Sequence, residues 1–173
     1  MNGFFLLIPF LLIRFGLLFA LDKNAVRRAA HFAPLRGREK IAYFVYQAAT
    51  VGILVCPVFL SVRADFSWMF WAGAACYVIG LALCAVALAC FSSPDASGLN
   101  TNGIYRISRN PMYVAYFACF LGIALLAKSP VLFIMVMAFQ ISAHWIILAE
   151  ERWCLARFGE RYERYMREVR RYV

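Results

Sequence analysis

Two groups of polar residues interrupt the apolar second half of the chain in a way that suggests chemistry. Residues 109–113 read Arg-Asn-Pro-Met-Tyr and follow the Gly-Ile-Tyr of residues 103–105. The second group is the adjacent pair Glu150 and Glu151, directly after an apolar run. We place this pair at the end of a helix, where two carboxylates repel each other and the macrodipole favours cations. A cation or a hydrogen-bond donor is therefore expected beside them, with Arg109 and the arginines of the carboxyl-terminal segment as candidates.

The chain around these groups has the composition of an integral membrane protein. Of its 173 residues, 64% are hydrophobic and 16% are charged, and the mean hydropathy is +0.71. Soluble domains are about half apolar and about a quarter charged, and a chain of about 150 residues still leaves roughly a third of its surface in water. This composition excludes a soluble enzyme, a disordered protein and a secreted disulfide scaffold.

Five apolar runs are candidates for membrane-crossing helices, which need about 20 residues each. They cover residues 3–20, 41–62, 66–91, 112–127 and 129–149, and the fourth is short enough to favour a tilted hairpin with the fifth. In residues 150–173, apolar side chains recur every three or four positions among seven arginines and five glutamates, which predicts an amphipathic helix. We therefore expect an all-α, polytopic membrane protein with about five transmembrane helices and a carboxyl-terminal amphipathic helix in the cytoplasm.

The distribution of charge predicts the orientation of these spans. The chain carries 18 Lys and Arg against 9 Asp and Glu. With five spans and the amino terminus outside, the basic segments 21–40 and 150–173 and the polar stretch 92–111 all fall on the cytoplasmic side, as the positive-inside rule requires. The basic balance is thus assigned to cytoplasmic loops, with no nucleic-acid partner. The six cysteines have no metal-ligand spacing, and no metal is expected.

One charge lies inside the first apolar run. Arg14 either extends toward the nearby basic end of its helix or faces a polar cavity between helices, and the sequence leaves both open. In the third run, small residues recur every four positions, which predicts a face that another helix can approach closely; they are Ala72, Cys76, Gly80 and Cys84.

The motifs of the second half resemble the isoprenylcysteine carboxyl methyltransferase family, whose wider group includes phospholipid N-methyltransferases. That family has Arg-His-Pro-x-Tyr-x-Gly, a hydrophobic stretch and then Glu-Glu; here residues 109–115 and the pair at 150 and 151 stand in that order. Gly103-x-Tyr105 before them and Leu155-x-x-Phe158-Gly159-x-x-Tyr162 after them are similar too. The resemblance divides the chain into three membrane helices, residues 1–91, and a cofactor-binding methyltransferase core, residues 92–173.

Two positions depart from the family pattern. Asn110 stands where the family often has His, and Ala115 stands where it has Gly. Asn still donates and accepts hydrogen bonds, so a cofactor contact there remains possible on chemical grounds. The eukaryotic enzymes also place an Arg shortly before the acidic pair to bind the substrate carboxylate. Here His144 is the nearest polar candidate for a substrate contact, and either that role or a satisfied polar group at the helix end would explain it.

The resemblance implies methyl transfer from S-adenosylmethionine to a lipophilic acceptor at the cytoplasmic membrane face. It implies that Arg109 pairs with the cofactor's carboxylate, that Glu150 accepts from its amino group or ribose, and that Glu151 orients an arginine. Tyrosine rings would face the sulfonium. The expected cofactor-binding residues are Leu99, Asn100, Gly103, Tyr105, Arg109, Asn110, Pro111, Met112, Tyr113, Glu150 and Glu151.

Two other functions remain open at this stage. The first is a phospholipid N-methyltransferase of the phosphatidylethanolamine type, whose amine acceptor would need a base. The second is a non-enzymatic membrane scaffold whose basic tail binds anionic lipid. Membrane lipids are expected partners in every case.

Overall fold

The computed structural model describes residues 1–23, 33–95 and 97–172. Residues 24–32, which belong to the basic segment 21–40 predicted to be cytoplasmic, lie outside this description. The described residues form helices and no named strand, which confirms the all-α class. The helices are α1 (Gly3–Leu21), α2 (Glu39–Phe59), α3 (Trp68–Ser92), α4 (Pro111–Leu126), α5 (Pro130–Phe158) and α6 (Glu160–Glu168).

The apolar helices match the predicted spans in number and order. Four of them, α1, α2, α3 and α5, are long and apolar enough to cross a membrane. Helix α4 has 16 residues, and at about 1.5 Å per residue it is shorter than a hydrocarbon core of about 30 Å. Helix α1 is irregular, with a π-helical stretch over Leu12–Leu17.

Glycines bring α3 and α4 into backbone contact. A Cβ added to Gly80 would lie 2.3 Å from the backbone nitrogen of Cys119, and one added to Gly122 would lie 2.5 Å from that of Tyr77. Both distances are below any van der Waals contact, so only glycine fits at these crossings. The predicted close approach on the third span is confirmed at Gly80, and it fixes α4, with its polar start, against α3.

The two ends of the bundle differ in charge. One end gathers the amino terminus and the short loops: Gly3 donates to the carbonyl of Leu60, and Lys128 pairs with Asp65. The other end gathers residues 33–38, the stretch 93–110 and the end of α5, where Arg152 makes two hydrogen bonds of 2.7 Å with Glu39. The basic and polar segments that we assign to one side of the membrane thus share one end of the bundle.

The predicted end of the fifth span was wrong. Helix α5 continues unbroken through Glu150 and Glu151 to Phe158, and it ends at Gly159, whose φ is 54°. The change in composition at residue 150 does not end the helix because arginines and a tyrosine satisfy the two carboxylates. The predicted amphipathic helix is the shorter α6. Its apolar side chains and those at the end of α5 form one cluster around Leu99. The division of the chain at residue 92 stays a prediction.

Candidate active site

A cavity of about 540 Å³ opens in the bundle at its polar end, between the start of α4, the end of α5 and helix α6. Pro111 is the first residue of α4, a position where its missing N–H costs nothing. This start turns the chain from the polar stretch into the bundle. Ten of the residues predicted to bind a cofactor line the cavity: Leu99, Asn100, Tyr105, Arg109, Asn110, Pro111, Met112, Tyr113, Glu150 and Glu151.

Gly103 and His144 lie away from the cavity wall. Gly103 has a φ of 50°, and a Cβ there would lie 2.4 Å from the sulfur of Cys90. Its place is at the start of the short helical turn Gly103–Arg106 that carries Tyr105. The Nδ1 of His144 lies 2.7 Å from the hydroxyl of Tyr172, near the end of the chain. The structure thus places both residues outside the lining.

Glu151 is the anchor of the site. It is 4% exposed, and it binds two guanidinium groups: Arg109 at 2.8 Å and Arg171 at 2.8 Å. The carboxylate of Glu151 raises the pKa of Arg171, since it stabilises the charged guanidinium. The cation expected beside the acidic pair is therefore present at Glu151, and both predicted candidates supply it: Arg109 and an arginine of the carboxyl-terminal segment.

The carboxyl-terminal segment is tied to the motif at several points. The Nη1 of Arg109 donates to the carbonyl of Met166 at 2.9 Å, and its backbone N–H donates to the carbonyl of Arg170. The side-chain amide of Asn110 donates to the carbonyl of Arg171 at 3.1 Å. Asn110, which stands where the family often has His, therefore holds the carboxyl-terminal segment against the start of α4.

Glu150 has a different environment from its neighbour. Its carboxylate accepts a hydrogen bond of 3.0 Å from the hydroxyl of Tyr113 and lines the cavity. Among the described residues, no Lys or Arg nitrogen lies within salt-bridge distance of it. The two adjacent glutamates thus differ: Glu151 is neutralised by arginines, and Glu150 presents its carboxylate to the cavity.

Three buried polar atoms on the cavity wall lack a partner within the part of the chain that the structure describes. They are the Oδ1 of Asn100, the hydroxyl of Tyr105 and the Nε of Arg109. A buried polar group without a hydrogen bond costs about 1–3 kcal/mol, and native proteins rarely leave such groups unpaired. Burial also raises the pKa of Tyr105, so its hydroxyl stays protonated and able to donate. A polar ligand that reaches these atoms would supply the missing hydrogen bonds.

The rim beside Asn100 is built by one aspartate. The Oδ1 of Asp95 accepts from the backbone and hydroxyl of Ser97 and from the backbone of Leu99, and its Oδ2 accepts from Arg161 of α6. The hydrogen bond from Ser97 is the main cause of the lowered pKa of Asp95. These contacts fix Leu99 and Asn100 above the cavity.

The sequence profile of a family described as phospholipid methyltransferase matches residues 68–161. This match covers just over half of the chain, including the arginine–tyrosine motif and both glutamates of the site. The chain belongs to the phospholipid methyltransferase family. Its wider group includes the isoprenylcysteine methyltransferases, so the resemblance drawn from the motifs is confirmed. No curated protein and no solved structure matches the chain significantly.

Membership of the phospholipid methyltransferase family does not identify several residues of the cavity wall. Arg14 of α1 and Tyr46 of α2 line the cavity but lie outside the matched residues. Arg157 lies within the matched residues and was not predicted; it packs on the rings of Trp153 and Phe158 at the rim. The only sequence signal for Arg14 is a charge inside an apolar run, and the structure supports the second explanation given above, a polar cavity. Nothing in the sequence marks Tyr46, a tyrosine in a charge-free run.

In this member of the phospholipid methyltransferase family, the cavity thus has a polar part and an apolar part. Polar groups of the stretch 93–110 and α6 line one end, and the aromatic rings of Tyr46, Tyr113 and Tyr116 line the part inside the apolar bundle. A cavity of this kind can hold a charged, water-soluble ligand and an apolar chain side by side.

Proposed function

We propose that the protein is a membrane methyltransferase that uses S-adenosylmethionine and methylates a lipophilic acceptor at the cytoplasmic membrane face. The observation that carries this proposal is the cavity that Glu150 lines together with Asn100, Tyr105 and Arg109. Family membership supports methyl transfer, and the membrane-spanning helices support a lipophilic acceptor.

The residues of the cavity fit the chemistry of this cofactor. Asn100 and Tyr105 would hydrogen-bond the nucleoside, and the carboxylate of Glu150 would accept from the amino group or the ribose hydroxyls. Arg109, whose Nε has no partner among the described residues, would serve the amino-acid carboxylate. The rings of Tyr105 and Tyr113 would face a cation, which aromatic faces attract. When bound, S-adenosylmethionine supplies a methyl group that is already activated on a sulfonium.

The protein's own contribution is then mainly positioning and exclusion of water. Holding two reactants in line replaces an encounter in solution, and a closed apolar wall keeps water from the reacting atoms. A carboxylate or thiolate acceptor needs no base. An amine acceptor must lose a proton, and Glu150 is the group on the cavity wall that would take it. His144, bonded to Tyr172, has no place in this step.

The acceptor's tail would reach the site from the bilayer, between the spans. The helices α1, α2 and α4 contribute Arg14, Tyr46 and Tyr116 to the wall, so the cavity continues into the apolar bundle. Methyl label from the cofactor should therefore enter the lipid extract of membranes. Label confined to water-soluble products would contradict a lipophilic acceptor.

The orientation is proposed on the distribution of charge. The polar end of the bundle carries most of the basic residues, which supports a site and a carboxyl terminus in the cytoplasm and an amino terminus outside. Protease treatment of sealed vesicles of known sidedness tests this, because the carboxyl-terminal segment should be cleaved only from the cytoplasmic face.

Two types of acceptor are consistent with the site. An isoprenylcysteine-type enzyme would give a methyl ester, and a phospholipid N-methyltransferase would give a methylated head-group amine. Mass spectrometry of the labelled lipid distinguishes them. Family membership favours either enzyme over a non-enzymatic scaffold, which would bind anionic lipid without binding the cofactor.

Calorimetric titration of the detergent-solubilised protein with S-adenosylhomocysteine tests the proposal directly. We expect the wild type to bind and Glu150→Gln to bind at least tenfold more weakly, since a hydrogen bond to a charged group is worth about 1.5–3 kcal/mol. Glu163→Gln makes the same chemical change on the exposed face of α6 and should bind like the wild type. No binding by the wild type would favour the scaffold.

A further inference from the structure

Arg14 is a cation inside the first membrane helix, and it lies on the wall of the cavity. It belongs to the π-helical stretch Leu12–Leu17 of α1, a local geometry that is frequent at functional sites. It lies outside the residues matched by the family profile, and the function proposed above gives it no role.

The contacts of Arg14 fix its position without neutralising its charge. Its Nη1 donates to the hydroxyl of Tyr116, and its guanidinium carbon lies 4.8 Å from the centre of that ring and 5.6 Å from the ring of Phe15. Within the described ranges, no carboxylate lies within salt-bridge distance of it. Of its five N–H donors, the described contacts use one.

Such a residue is costly unless it binds something. An arginine within a membrane helix disfavours insertion by about 2.5–3.5 kcal/mol, and arginines at such positions usually face the bundle interior and serve a ligand. Glu150 lines the same cavity, yet the two charges do not pair with each other. The cavity therefore offers an anionic group and a cationic group at separate places on its wall.

We propose that Arg14 binds the anionic group of the lipid acceptor, a carboxylate or a phosphate, with Tyr116 as the residue that positions it. This inference rests on the proposed function and specifies its substrate as an anionic lipid. Arg14 enters the cavity from α1, among the residues of the apolar bundle, where a lipid head group would arrive from the membrane. A planar guanidinium with free donors suits the paired oxygens of either anion.

Equilibrium binding of lipid probes tests the proposal without relying on catalysis. The protein in neutral-detergent micelles, saturated with S-adenosylhomocysteine, is titrated with oleate and with dioleoyl phosphatidic acid, each against its neutral counterpart, oleyl alcohol or dioleoylglycerol. We expect the wild type to prefer one anionic probe over its counterpart by at least tenfold. The probe that binds distinguishes a carboxylate from a phosphate.

Variants locate the effect on the side chain. Arg14→Gln should lose most of the preference, with affinity for the anionic probe falling about tenfold to hundredfold, while its affinity for S-adenosylhomocysteine stays within about threefold of the wild type. Tyr116→Phe should show an intermediate loss, and Arg14→Lys should recover part of it. Arg63→Gln makes the same change at an exposed residue of the opposite end and should behave like the wild type.

Several results would overturn the proposal. These are equal binding of anionic and neutral probes by the wild type, an unchanged preference in Arg14→Gln, or a selective loss of S-adenosylhomocysteine binding in Arg14→Gln. The last result would assign Arg14 to the cofactor instead. The proposed function fails separately, when the wild type does not bind S-adenosylhomocysteine. The lipid titrations, repeated without it, then still decide whether Arg14 selects an anion.

Discussion

The Nη2 of Arg109 lies 2.8 Å from the Oε1 of Glu151, and both side chains are almost fully buried. This ion pair joins Arg109, two residues before α4, to the last third of α5, across 42 positions of the sequence. Arg171 donates to both oxygens of the same carboxylate. One buried glutamate thus holds together the start of α4, helix α5 and the carboxyl-terminal segment.

Loss of Glu151 should therefore destabilise the protein more than loss of Glu150. Glu151→Ala leaves two guanidinium groups facing each other, one of them buried, and removing one partner of a buried ion pair costs about 3–5 kcal/mol. Glu150→Ala removes one hydrogen bond from Tyr113, worth about 1–3 kcal/mol. Thermal unfolding in detergent, followed by circular dichroism, should show the lower Tm for Glu151→Ala. Equal midpoints for the two variants would contradict the anchoring role.

Arg109 should matter for both stability and cofactor binding. Arg109→Lys keeps a positive charge near Glu151, but it removes the Nε, which has no partner among the described residues, and the fork that reaches both Glu151 and Met166. We expect a small change in Tm with at least a tenfold loss of S-adenosylhomocysteine affinity, because an ammonium group cannot reproduce the planar, rigid donors of a guanidinium. Arg109→Ala should lose both. Full cofactor affinity in Arg109→Lys would restrict Arg109 to the ion pair.

The fold was predictable from the sequence because each span is a nearly uncharged run between polar segments. Four of those runs form helices that are long and apolar enough to span a membrane, and the run at residues 112–127 is short in the structure as in the sequence. The end of α5 was missed because composition alone cannot show that Arg109 and Arg171 neutralise Glu151 inside a helix. The true break, Gly159, lies in a motif that the sequence analysis noted without assigning it to a helix end.

The predicted site residues came from motif order rather than from chemistry visible in any one of them. Ten of the eleven line one cavity, and their binding of a cofactor stays a prediction. Tyr46 of α2 and Tyr116 of α4 were missed, since they reach the cavity only through packing between distant segments. Gly103 lies outside the lining, where an added Cβ would lie 2.4 Å from the sulfur of Cys90, and its assignment to the cofactor stays a prediction.

His144 should be dispensable for methyl transfer. It lies away from the cavity wall, and its Nδ1 contacts the hydroxyl of Tyr172. We expect His144→Gln to keep methyl transfer to lipid within about threefold of the wild type and to shift Tm by no more than Tyr172→Phe does, because each variant removes or weakens the same single hydrogen bond. A hundredfold loss of transfer at unchanged Tm would return His144 to the substrate site.

The contact between α3 and α4 should tolerate no side chain at Gly80. A methyl group there would overlap the backbone at Cys119, so Gly80→Ala must push the two helices apart, at a cost of about 1–3 kcal/mol or more. Gly16→Ala is the matched control, because a Cβ at Gly16 meets nothing within 4 Å. Thermal unfolding should give a clearly lower Tm for Gly80→Ala and little change for Gly16→Ala. Similar midpoints for both variants would mean that the helices can separate at no cost.

The loop of residues 97–100, which Asp95 holds at the rim of the cavity, should lose protection from amide exchange at low pH. Hydrogen bonds from Ser97 and the charge of Arg161 lower the pKa of Asp95 in the folded protein. A carboxyl whose pKa is lowered on folding contributes its stabilisation above its ordinary pKa of about 4, and that contribution is lost as the pH falls through the lowered value. Amide exchange in residues 97–100, corrected for its intrinsic pH dependence, should therefore become faster as the pH drops below about 4.

Asp95→Asn should show the faster exchange already at neutral pH, since the uncharged side chain holds Arg161 and the backbone of Leu99 less strongly. The variant should also weaken S-adenosylhomocysteine binding by a few-fold, because Leu99 and Asn100 lose their fixed position at the rim. Wild-type protection of this loop in Asp95→Asn would show that other contacts hold it.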